Sequence, residues 1–376
     1  MKLELIATAT FGLEAVVRRE IEALGFKIIN REDGRVTYIA NEAGIVRSNL
    51  WLRTADRVLI KMGEFGALTF EDLFQGMKAI PWEVLIPENG NFKIGATSVK
   101  STLSSVPACQ SVAEKALVTR LEETYGRQRF SKSGALFDVK LRLLKDICTI
   151  TVDTSGAGLH KRGYRVANVE APIKETLAAA LVFLSFWKPG RLLFDPFCGS
   201  GTIAIEAAMI GRNMAPGLNR PFAAESWDFI PKEIWKRERA NAYKKTDLSA
   251  DILIQASDIS PKAIKAAEEN AEKAGVRKDI SFSINSFMSF KAREPAGVMV
   301  SNPPYGERIG EMKQLESIYR ELKIFFDDNP SWSLFIITSD KRFEQEAMGK
   351  PANRRRKLYN GRIETTYYQY HGVNNA

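Results

Sequence analysis

The sequence predicts an α/β protein of several domains, in which a doubly wound parallel sheet follows two smaller α+β units. The chain has 376 residues, which exceeds the length of one ordinary domain. From Ile173 onward, continuous hydrophobic runs alternate with long helical patterns, which is typical of parallel strands buried on both faces. Before that point, shorter strand and helix patterns alternate in two groups. We therefore predict domains at 1–62, 63–155 and 173–376, with a Gly-rich, basic linker at 156–172.

Composition restricts the classes of protein to which the chain can belong. Hydrophobic residues make up 45% and charged residues 26% of the chain, which is the balance of a soluble globular protein. The chain has no apolar run of about eighteen residues, so we expect no membrane span. Glu4 and Glu14 interrupt the apolar start of the chain, which argues against a signal peptide. We therefore expect a cytoplasmic protein.

Cysteine, histidine and charge add two further expectations. The three cysteines lie far apart and only two histidines are present, which argues against a disulfide framework and against a Cys/His zinc site. We expect no metal and a reducing compartment. The net charge of +9 suits a polyanionic partner such as nucleic acid. A solvated surface is nevertheless the default interpretation of the densest basic cluster, at 353–357.

Residues 1–62 carry the pattern of a ferredoxin-like domain. Strand and helix patterns follow one another in the order β-α-β-β-α-β, which defines that motif. The apolar residues of the first helix recur at helical spacing up to Leu24, and Gly25 follows as a C-terminal cap. A turn at Asp33-Gly34 separates the second and third strands. The predicted strands are 2–8, 26–30, 35–40 and 57–62, and the predicted helices are 13–24 and 42–50.

Residues 63–155 carry a second α/β pattern. Thr69 is a candidate N-cap for the helix that follows it, and Pro107 begins a long amphipathic helix. A strand lies between the two helices. A hairpin with its turn at Lys145-Asp146 completes this unit.

The segment LLFDPFCGSGTIAIEAA, at 192–208, predicts a strand, a glycine turn and a helix. Gly199, Gly201 and Ala204 lie where small residues let a ligand approach the backbone. A dinucleotide fold would place a pyrophosphate at the start of this helix. Asp195 ends the strand, however, and its carboxylate would repel a phosphate. It suits a cationic group, such as the ammonium of S-adenosylmethionine.

Asp258 ends the next hydrophobic strand and is a candidate ribose ligand. An acid at this position can accept hydrogen bonds from both ribose hydroxyls of an adenosine. The simpler alternative is that Asp258 caps the next helix, although Ser260 is itself a natural N-cap for that helix. Asp258 lies much farther from the glycine turn than the usual spacing of about 20 residues, so 211–250 would be an insertion. Glu225 lies nearer that spacing but follows no strand pattern, and we rank it below Asp258.

The stretch VMVSNPPYGERIG, at 298–310, ends a core strand with two prolines. A plain turn is the simplest explanation of a Pro-Pro pair, because proline cannot donate to a sheet ladder. In a doubly wound sheet, however, this strand end faces the ligand crevice. There the side-chain carbonyl of Asn302 and the backbone carbonyl of Pro303 can accept the two N–H bonds of an exocyclic amine. Tyr305 can stack on the base that carries the amine, provided that the base is unpaired or flipped out.

These motifs resemble the Rossmann-like S-adenosylmethionine-dependent methyltransferases that act on exocyclic amines of bases. DPFCGSGT and SNPPYG carry that resemblance. LHKRGYR, APIKETLAAAL and RKLYNGRIETTYYQY, together with the N-terminal half, make the chain similar to bacterial THUMP-domain methyltransferases, the group that forms N2-methylguanosine in 23S ribosomal RNA. The resemblance covers nearly the whole chain. It implies a ferredoxin-like domain at 1–62, a THUMP RNA-binding domain at 63–155 and a Rossmann-like methyltransferase domain at 173–376.

The resemblance also implies a cofactor, a partner and a set of site residues. The cofactor is S-adenosyl-L-methionine, and the partner is RNA, foremost 23S ribosomal RNA or a large-subunit precursor. Related proteins often bind the cofactor's adenine amine with an Asp after the third strand, where this chain offers Asn285 or Ser286. The candidate cofactor-binding residues are Asp195, Pro196, Cys198, Gly199, Gly201, Thr202, Asp258, Ile259, Asn285, Ser286 and Asn302. The candidate catalytic residues are Asn302, Pro303, Pro304 and Tyr305. Cys198 is taken as a small loop residue with no covalent role.

Three other functions compete with this interpretation. An N6-adenine DNA methyltransferase would use the same Asn-Pro-Pro-Tyr chemistry, but the N-terminal half has no helix-turn-helix or zinc signature for duplex DNA. A non-catalytic RNA-binding or assembly protein would not need intact Asp195, Gly199, Gly201 and Asn302. A dehydrogenase is the weakest of the three because Asp195 opposes a pyrophosphate.

Overall fold

The computed structural model describes residues 1–127, 133–166, 172–290, 294–304 and 311–373. Within these ranges the chain forms two seven-stranded sheets with helices packed against them. The strands are β1 (Leu3–Ala9), β2 (Lys27–Glu32), β3 (Arg35–Ala40), β4 (Ala55–Gly66), β5 (Asn91–Val99), β6 (Leu136–Leu144), β7 (Ile147–Asp153), β8 (Leu192–Asp195), β9 (Ile254–Asp258), β10 (Ile280–Ile284), β11 (Gly297–Ser301), β12 (Ser333–Thr338), β13 (Arg354–Asn360) and β14 (Ile363–Tyr370). The helices are α1 (Glu14–Ala23), α2 (Glu42–Trp51), α3 (Phe70–Lys78), α4 (Val106–Tyr125), α5 (Glu175–Leu184), α6 (Thr202–Gly211), α7 (Lys232–Lys244), α8 (Pro261–Ala274) and α9 (Glu311–Asp328).

The N-terminal sheet has the strand order β2-β3-β1-β4-β7-β6-β5. The first four strands are antiparallel neighbours in the ferredoxin-like arrangement, which confirms that prediction. β4 is longer than the predicted strand 57–62. Its first half pairs with β1 and its second half pairs with β7, so the ferredoxin-like strands and those of the second unit form one continuous sheet. The predicted boundary after residue 62 lies inside this shared strand.

Local sequence signals in this half act as predicted. Thr69 caps α3 in a reciprocal pair, since its Oγ1 accepts the N–H of Asp72 at 3.1 Å and the Asp72 carboxylate accepts the N–H of Thr69 at 2.9 Å. Pro107 lies in the first turn of α4. Lys145 and Asp146 form the β6–β7 turn with φ of 51° and 64°. These two helices and this turn therefore form where the sequence indicated.

The C-terminal sheet has the order β10-β9-β8-β11-β12-β14-β13. The first five strands are parallel, and the antiparallel hairpin β13–β14 extends the sheet beyond β12. Every residue of β8, β11 and β12 is buried, which explains why these strands are continuous hydrophobic runs in the sequence. The prediction of a doubly wound α/β domain is confirmed.

The insertion 211–250 joins the two halves of the protein. Trp227 stacks on Phe137 of β6 with 4.8 Å between ring centroids. Phe222 and Trp235 are buried in the core of the N-terminal sheet, and α7 packs against α2. The insertion thus belongs to the C-terminal domain in sequence but buries its aromatic residues against the N-terminal unit.

The predicted linker is firmly packed. Its described part, 156–166, has no helix or strand. Arg162 is buried and lies 3.3 Å from the carboxylate of Glu206 in α6, and it also donates to the backbone carbonyl of Arg53. The hydroxyl of Tyr164 donates to the same Glu206 at 3.1 Å. A buried charge network therefore fixes the N-terminal unit relative to α6.

Candidate active site

Three adjacent parallel strands end with polar residues at one edge of the C-terminal sheet. β8 ends at Asp195, β9 ends at Asp258, and β11 ends at Ser301, which Asn302 follows. Because these strands are neighbours and run in the same direction, their carboxyl ends meet. A cavity of about 120 Å³ opens at this edge, and its lining includes Asp195, Gly199 and Asn302. The fold thus brings together three motifs that are far apart in the sequence.

Asp195 is buried at this edge. The residue is 1% exposed, and its Oδ1 accepts hydrogen bonds from Ser301 Oγ at 2.5 Å and from the N–H of Phe197 at 3.3 Å. The pKa of Asp195 is raised to about 7, chiefly because the carboxyl group is buried; the two hydrogen bonds oppose this shift, and the nearby charge of Asp258 adds to it. No cation among the described residues pairs with this carboxylate. A buried acid without a counter-charge fits a ligand that brings its own ammonium group.

The turn between β8 and α6 requires glycine at two positions. Gly199 and Gly201 have φ of 51° and 79°, in the left-handed region that favours glycine. A Cβ on Gly201 would lie 2.9 Å from the Cβ of Ala267 in α8, which is closer than carbon atoms approach. The turn is therefore held tightly against α8 and presents backbone rather than side chains to the cavity.

Asp258 holds the glycine turn from the neighbouring strand. Its Oδ2 accepts the N–H of Gly199 at 3.0 Å, and its Oδ1 accepts the N–H of Ser260 at 2.9 Å. Ser260 itself caps α8, because its Oγ accepts a backbone N–H of the first turn at 3.3 Å. Each oxygen of Asp258 keeps a further acceptor position that suits a ribose hydroxyl. Glu225, the alternative acid, lies in the insertion and pairs with Arg239.

Three residues predicted to contact the adenosine lie beside Asp258. Ile259 is 75% exposed, which offers an apolar surface of the kind that suits an adenine ring. Asn285 and Ser286 are exposed after β10, and the N–H of Asn285 donates to the carbonyl of Asp258 at 3.1 Å. Both also border a groove of about 710 Å³ on the sheet. Their contacts to a cofactor stay a prediction.

The Asn-Pro-Pro turn follows β11 directly. Asn302 is half-buried and lines the same cavity as Asp195. Pro303 is buried and Pro304 is exposed. Tyr305 lies outside the described residues, so its stacking role stays a prediction.

Three residues of the glycine turn offer little side-chain chemistry to a ligand. Pro196 is buried behind Asp195. Burial raises the pKa of the Cys198 thiol, so the thiol stays protonated at neutral pH. The Oγ1 of Thr202 already accepts a hydrogen bond from Arg165 at 3.2 Å.

The structure adds site residues that the sequence did not reveal. Ser301 is the polar end of an apolar strand and supports Asp195. Arg165, in the linker, donates to Ser200 Oγ at 3.1 Å and to the carbonyl of Ile173 at 3.2 Å. Asn270 of α8 donates to the carbonyl of Ser200 at 3.1 Å. Of these, only Ser301 left a signal in the sequence, as a polar residue directly before Asn-Pro-Pro.

The described residues contain neither a candidate metal site nor a candidate membrane span. In the part of the chain that the structure describes, no three His, Cys, Asp or Glu residues are grouped so as to hold a metal ion. Among the same residues, every helix is too short or too polar to cross a membrane. His160, in the linker, is kept neutral because burial lowers its pKa to about 4.

Family models match three consecutive parts of the chain. Residues 4–59 match the RlmL ferredoxin-like domain, and 67–153 match the THUMP domain. Residues 162–369, more than half of the chain, match UPF0020, which is described as an RMKL-like methyltransferase domain. The order of these matches is the order of domains that the resemblance implied.

Two relatives are similar over almost the whole chain. YpsC of Bacillus subtilis (strain 168), named provisionally as an RNA methyltransferase, is 48% identical over 371 residues, which cover 98% of this chain and 96% of YpsC. Ribosomal RNA large subunit methyltransferase K/L of Psychromonas ingrahamii is 33% identical over 367 residues, which cover 96% of this chain but 49% of the relative. The chain thus spans about half the length of the K/L relatives.

Two solved structures share the complete fold. A protein of Listeria monocytogenes, described as a predicted N6-adenine-specific DNA methylase, is 46% identical to this chain with a TM-score of 0.94. The match covers 99% of this chain and 97% of the Listeria protein. SMU.472, described provisionally as a methyltransferase, was solved in complex with SAH. It is 41% identical to this chain with a TM-score of 0.94, and the match covers 100% of this chain and 99% of SMU.472. SAH is what remains of S-adenosylmethionine after methyl transfer, and the buried acid and glycine turn of this chain fit that cofactor. The chain belongs to the RMKL-like methyltransferase family: it is an S-adenosylmethionine-dependent methyltransferase with a ferredoxin-like and a THUMP domain before its catalytic domain.

Proposed function

We propose that the protein methylates an exocyclic base amine in RNA, and that its target is the N2 amine of a guanine in 23S ribosomal RNA. The observation that carries this proposal is the position of Asn302, directly after β11 and on the wall of the cavity that contains Asp195. A hydrogen-bond acceptor beside the cofactor pocket suits a nucleophile that carries N–H bonds. Methylation of a ring carbon through a cysteine is disfavoured, because burial raises the pKa of Cys198, the thiol on the same wall.

The chemistry of an amine defines what the residues of this turn do. The lone pair of an exocyclic amine is delocalised into the ring, so the amine is a weak nucleophile. The carbonyls of Asn302 and Pro303 accept its N–H bonds, which directs the lone pair and stabilises the positive charge that develops on nitrogen. S-Adenosylmethionine, when bound, supplies the methyl group as an electrophile. Asp195 would hold a cationic end of that ligand and Asp258 would hold its ribose, and the methylated amine would release its proton to water after transfer.

The N-terminal unit supports RNA as the substrate. In proteins of this type the THUMP domain is an RNA-binding module, and the net charge of +9 favours a polyanion. YpsC is named for RNA and the K/L relative for large-subunit ribosomal RNA, which supports 23S ribosomal RNA within that class. The chain spans about half of the K/L relatives, and the proposal for it is limited to one methylation.

A comparison of modified nucleosides tests this proposal. Ribosomal RNA from cells with and without the protein is digested, and the nucleosides are quantified by mass spectrometry. We expect loss of one N2-methylguanosine from 23S RNA in the deletion strain, and its return when the wild-type protein is supplied. The purified protein should also methylate 23S RNA from the deletion strain with labelled S-adenosylmethionine. An unchanged level of N2-methylguanosine would refute the assignment of the target.

Asn302→Ala provides the matched control for the same assay. We expect this variant to lose about 10²–10³-fold in turnover, the scale for removal of one positioned electrostatic partner, and far less in affinity for S-adenosylmethionine. Calorimetry measures the binding and a single-turnover assay measures the rate. Near-normal turnover would mean that the strand end is a plain turn and that the catalytic assignment is wrong.

One observation favours a second candidate function. The Listeria structure, 46% identical to this chain, is described by prediction as an N6-adenine-specific DNA methylase. The same pair of carbonyls can accept the N6 amine of adenine. Duplex DNA is therefore assayed beside RNA, and N6-methyladenine in DNA without any change in ribosomal RNA would favour this candidate.

A further inference from the structure

A seam joins helix α1 of the N-terminal unit to strand β13 of the catalytic domain. Leu13 and Val16 are buried in the same core as Leu358 of β13. At one end of the seam, Phe11 meets Tyr359 edge to face with 6.1 Å between ring centroids. The middle of this seam is therefore apolar, and one end is aromatic.

The close contact along this seam fixes the two elements in place. Gly12 has a φ of 90°, and a Cβ there would lie 2.6 Å from the backbone oxygen of Lys357. Phe11 and Gly12, directly before α1, therefore contact the second half of β13. α1 begins directly after this contact, and its Val16 packs in the same core as Leu358.

Three arginines lie at the other end of the seam. Arg19 follows Val16 on α1, and Arg354 and Arg356 share a face of β13 with Leu358, because alternate residues of a strand point the same way. Burial lowers the pKa of Arg356, and the nearby charges of Arg354 and Arg19 lower it further. We call Arg19, Arg354 and Arg356 the arginine triad.

The arginine triad has no counter-charge within the described part of the chain. None of its members forms an ion pair there, and the Nε of Arg356 is buried without a hydrogen-bond partner. Their immediate neighbours differ, since Arg18 pairs with Glu22 at 3.4 Å and Arg355 pairs with Glu344 at 2.8 Å. Three guanidinium groups that repel one another and leave a buried donor unpaired form a site for an anion.

The seam points toward the active site. β13 runs in the same direction as β11, because β12 is parallel to β11 and the hairpin β13–β14 reverses twice. Arg356 pairs with Tyr367 of β14, Tyr367 pairs with Ile337 of β12, and Ile337 directly follows the β12 partner of Ser301. Arg356 is therefore level with the carboxyl end of β11. β13 is three strand positions from β11, or about 14 Å at the usual spacing. A polyanion that contacts the triad is thus close enough for another of its units to reach Asn302.

We infer that the arginine triad binds backbone phosphates of the substrate RNA, as a second anchor besides the THUMP domain. This inference rests on the proposed function, because it takes RNA as the substrate. Guanidinium groups match phosphate oxygens in geometry as well as charge, which is why three unpaired arginines favour phosphates over a protein partner. Through these phosphate contacts the triad positions the RNA on the protein and adds to the affinity for it, but it does not distinguish one base from another.

Two double variants of the full-length protein test this inference. Arg19→Gln/Arg354→Gln removes two exposed charges of the triad, while Arg18→Gln/Arg355→Gln removes two paired charges from the same helix and the same strand. Binding to 23S RNA from the deletion strain is measured at several salt concentrations. The triad variant should lose about 1.4–1.8 from the slope of log K against log salt, and about tenfold or more in affinity at about 0.1 M salt. The control should keep the wild-type slope, and both should bind S-adenosylmethionine like wild type.

The outcomes separate this inference from the proposed function. An unchanged slope in the triad variant, or an equal loss in the control, overturns the triad as a site. If wild type methylates the RNA in either of those cases, the proposed function still stands. A wild type that neither binds nor methylates the RNA overturns both.

Discussion

Asp195→Asn should stabilise the cofactor-free protein while it weakens cofactor binding. Burial raises the pKa of Asp195 from 3.8 to about 7. At about 1.4 kcal/mol per pKa unit, an ionised carboxylate at this site costs at most about 4 kcal/mol of folding free energy. Asparagine keeps an oxygen for the hydrogen bonds from Ser301 and Phe197 and carries no charge. The wild-type acid is therefore a source of instability, which we propose is retained for ligand binding.

The effect of this variant depends on pH in a defined direction. The native state holds the Asp195 proton more tightly than the unfolded state, so wild-type stability from this group is present below about pH 4 and is lost as the pH rises toward about 7. Asparagine does not titrate. The stability of Asp195→Asn relative to wild type should therefore increase by about 2–3 kcal/mol between about pH 5 and about pH 8, and change little above that.

Urea unfolding of cofactor-free protein at several pH values measures this difference. Asp251→Asn, at an exposed acid, is the control and should show no such trend. In calorimetry, Asp195→Asn should bind S-adenosylmethionine about 10–100-fold more weakly, the scale of one charge-assisted hydrogen bond. A stability difference that is the same at all pH values would refute the account of burial. Unchanged affinity would refute Asp195 as the partner of the ligand's ammonium group.

Two further variants test contacts of the linker and of the insertion. Arg165→Ala removes the hydrogen bonds from Arg165 to Ser200 and Thr202 in the glycine turn. We expect this variant to bind the cofactor about tenfold more weakly and to keep a normal circular dichroism spectrum. Arg165→Lys should recover only part of the affinity, because lysine lacks the planar guanidinium group. Equal loss of thermal stability and affinity in both variants would instead indicate a purely structural role. Trp227→Ala should lower the free energy of unfolding, measured with denaturant, by about 3–5 kcal/mol, because it removes a fully buried ring that stacks on Phe137. Trp227→Phe should lower it less. A loss below about 1 kcal/mol in Trp227→Ala would contradict the role of the insertion in joining the two halves.

Features set by local chemistry could be predicted from the sequence. Thr69 caps its helix and Lys145-Asp146 forms a hairpin turn because side-chain and backbone preferences act over a few residues. The meeting of Asp195 and Asp258 was also predictable, although they are far apart in the chain. It follows from one topological rule, that parallel strands present their carboxyl ends to the same edge.

Features that depend on distant partners could not be predicted. The sequence of β4 after residue 62 has little strand character, and it becomes a strand because β7 pairs with it. The buried ion pair of Arg162 and Glu206 places charges inside a segment whose composition indicates an exposed linker. Arg165 is likewise only one basic residue among several until the fold brings it to the cofactor turn. Such residues act through tertiary contacts that leave no periodicity in the sequence.

The shared strand β4 has a consequence for the synthesis of the protein. The ribosome completes β4 at Gly66, but its partner β7 is complete only at Asp153. At about 5–20 residues per second, the outer half of β4 stays an open edge for about 4–17 seconds. Lys61 and Glu64 place charges on this edge, which oppose its pairing with another nascent chain. The strand pairing of the first domain is therefore complete only after the ribosome has made β7 of the THUMP region.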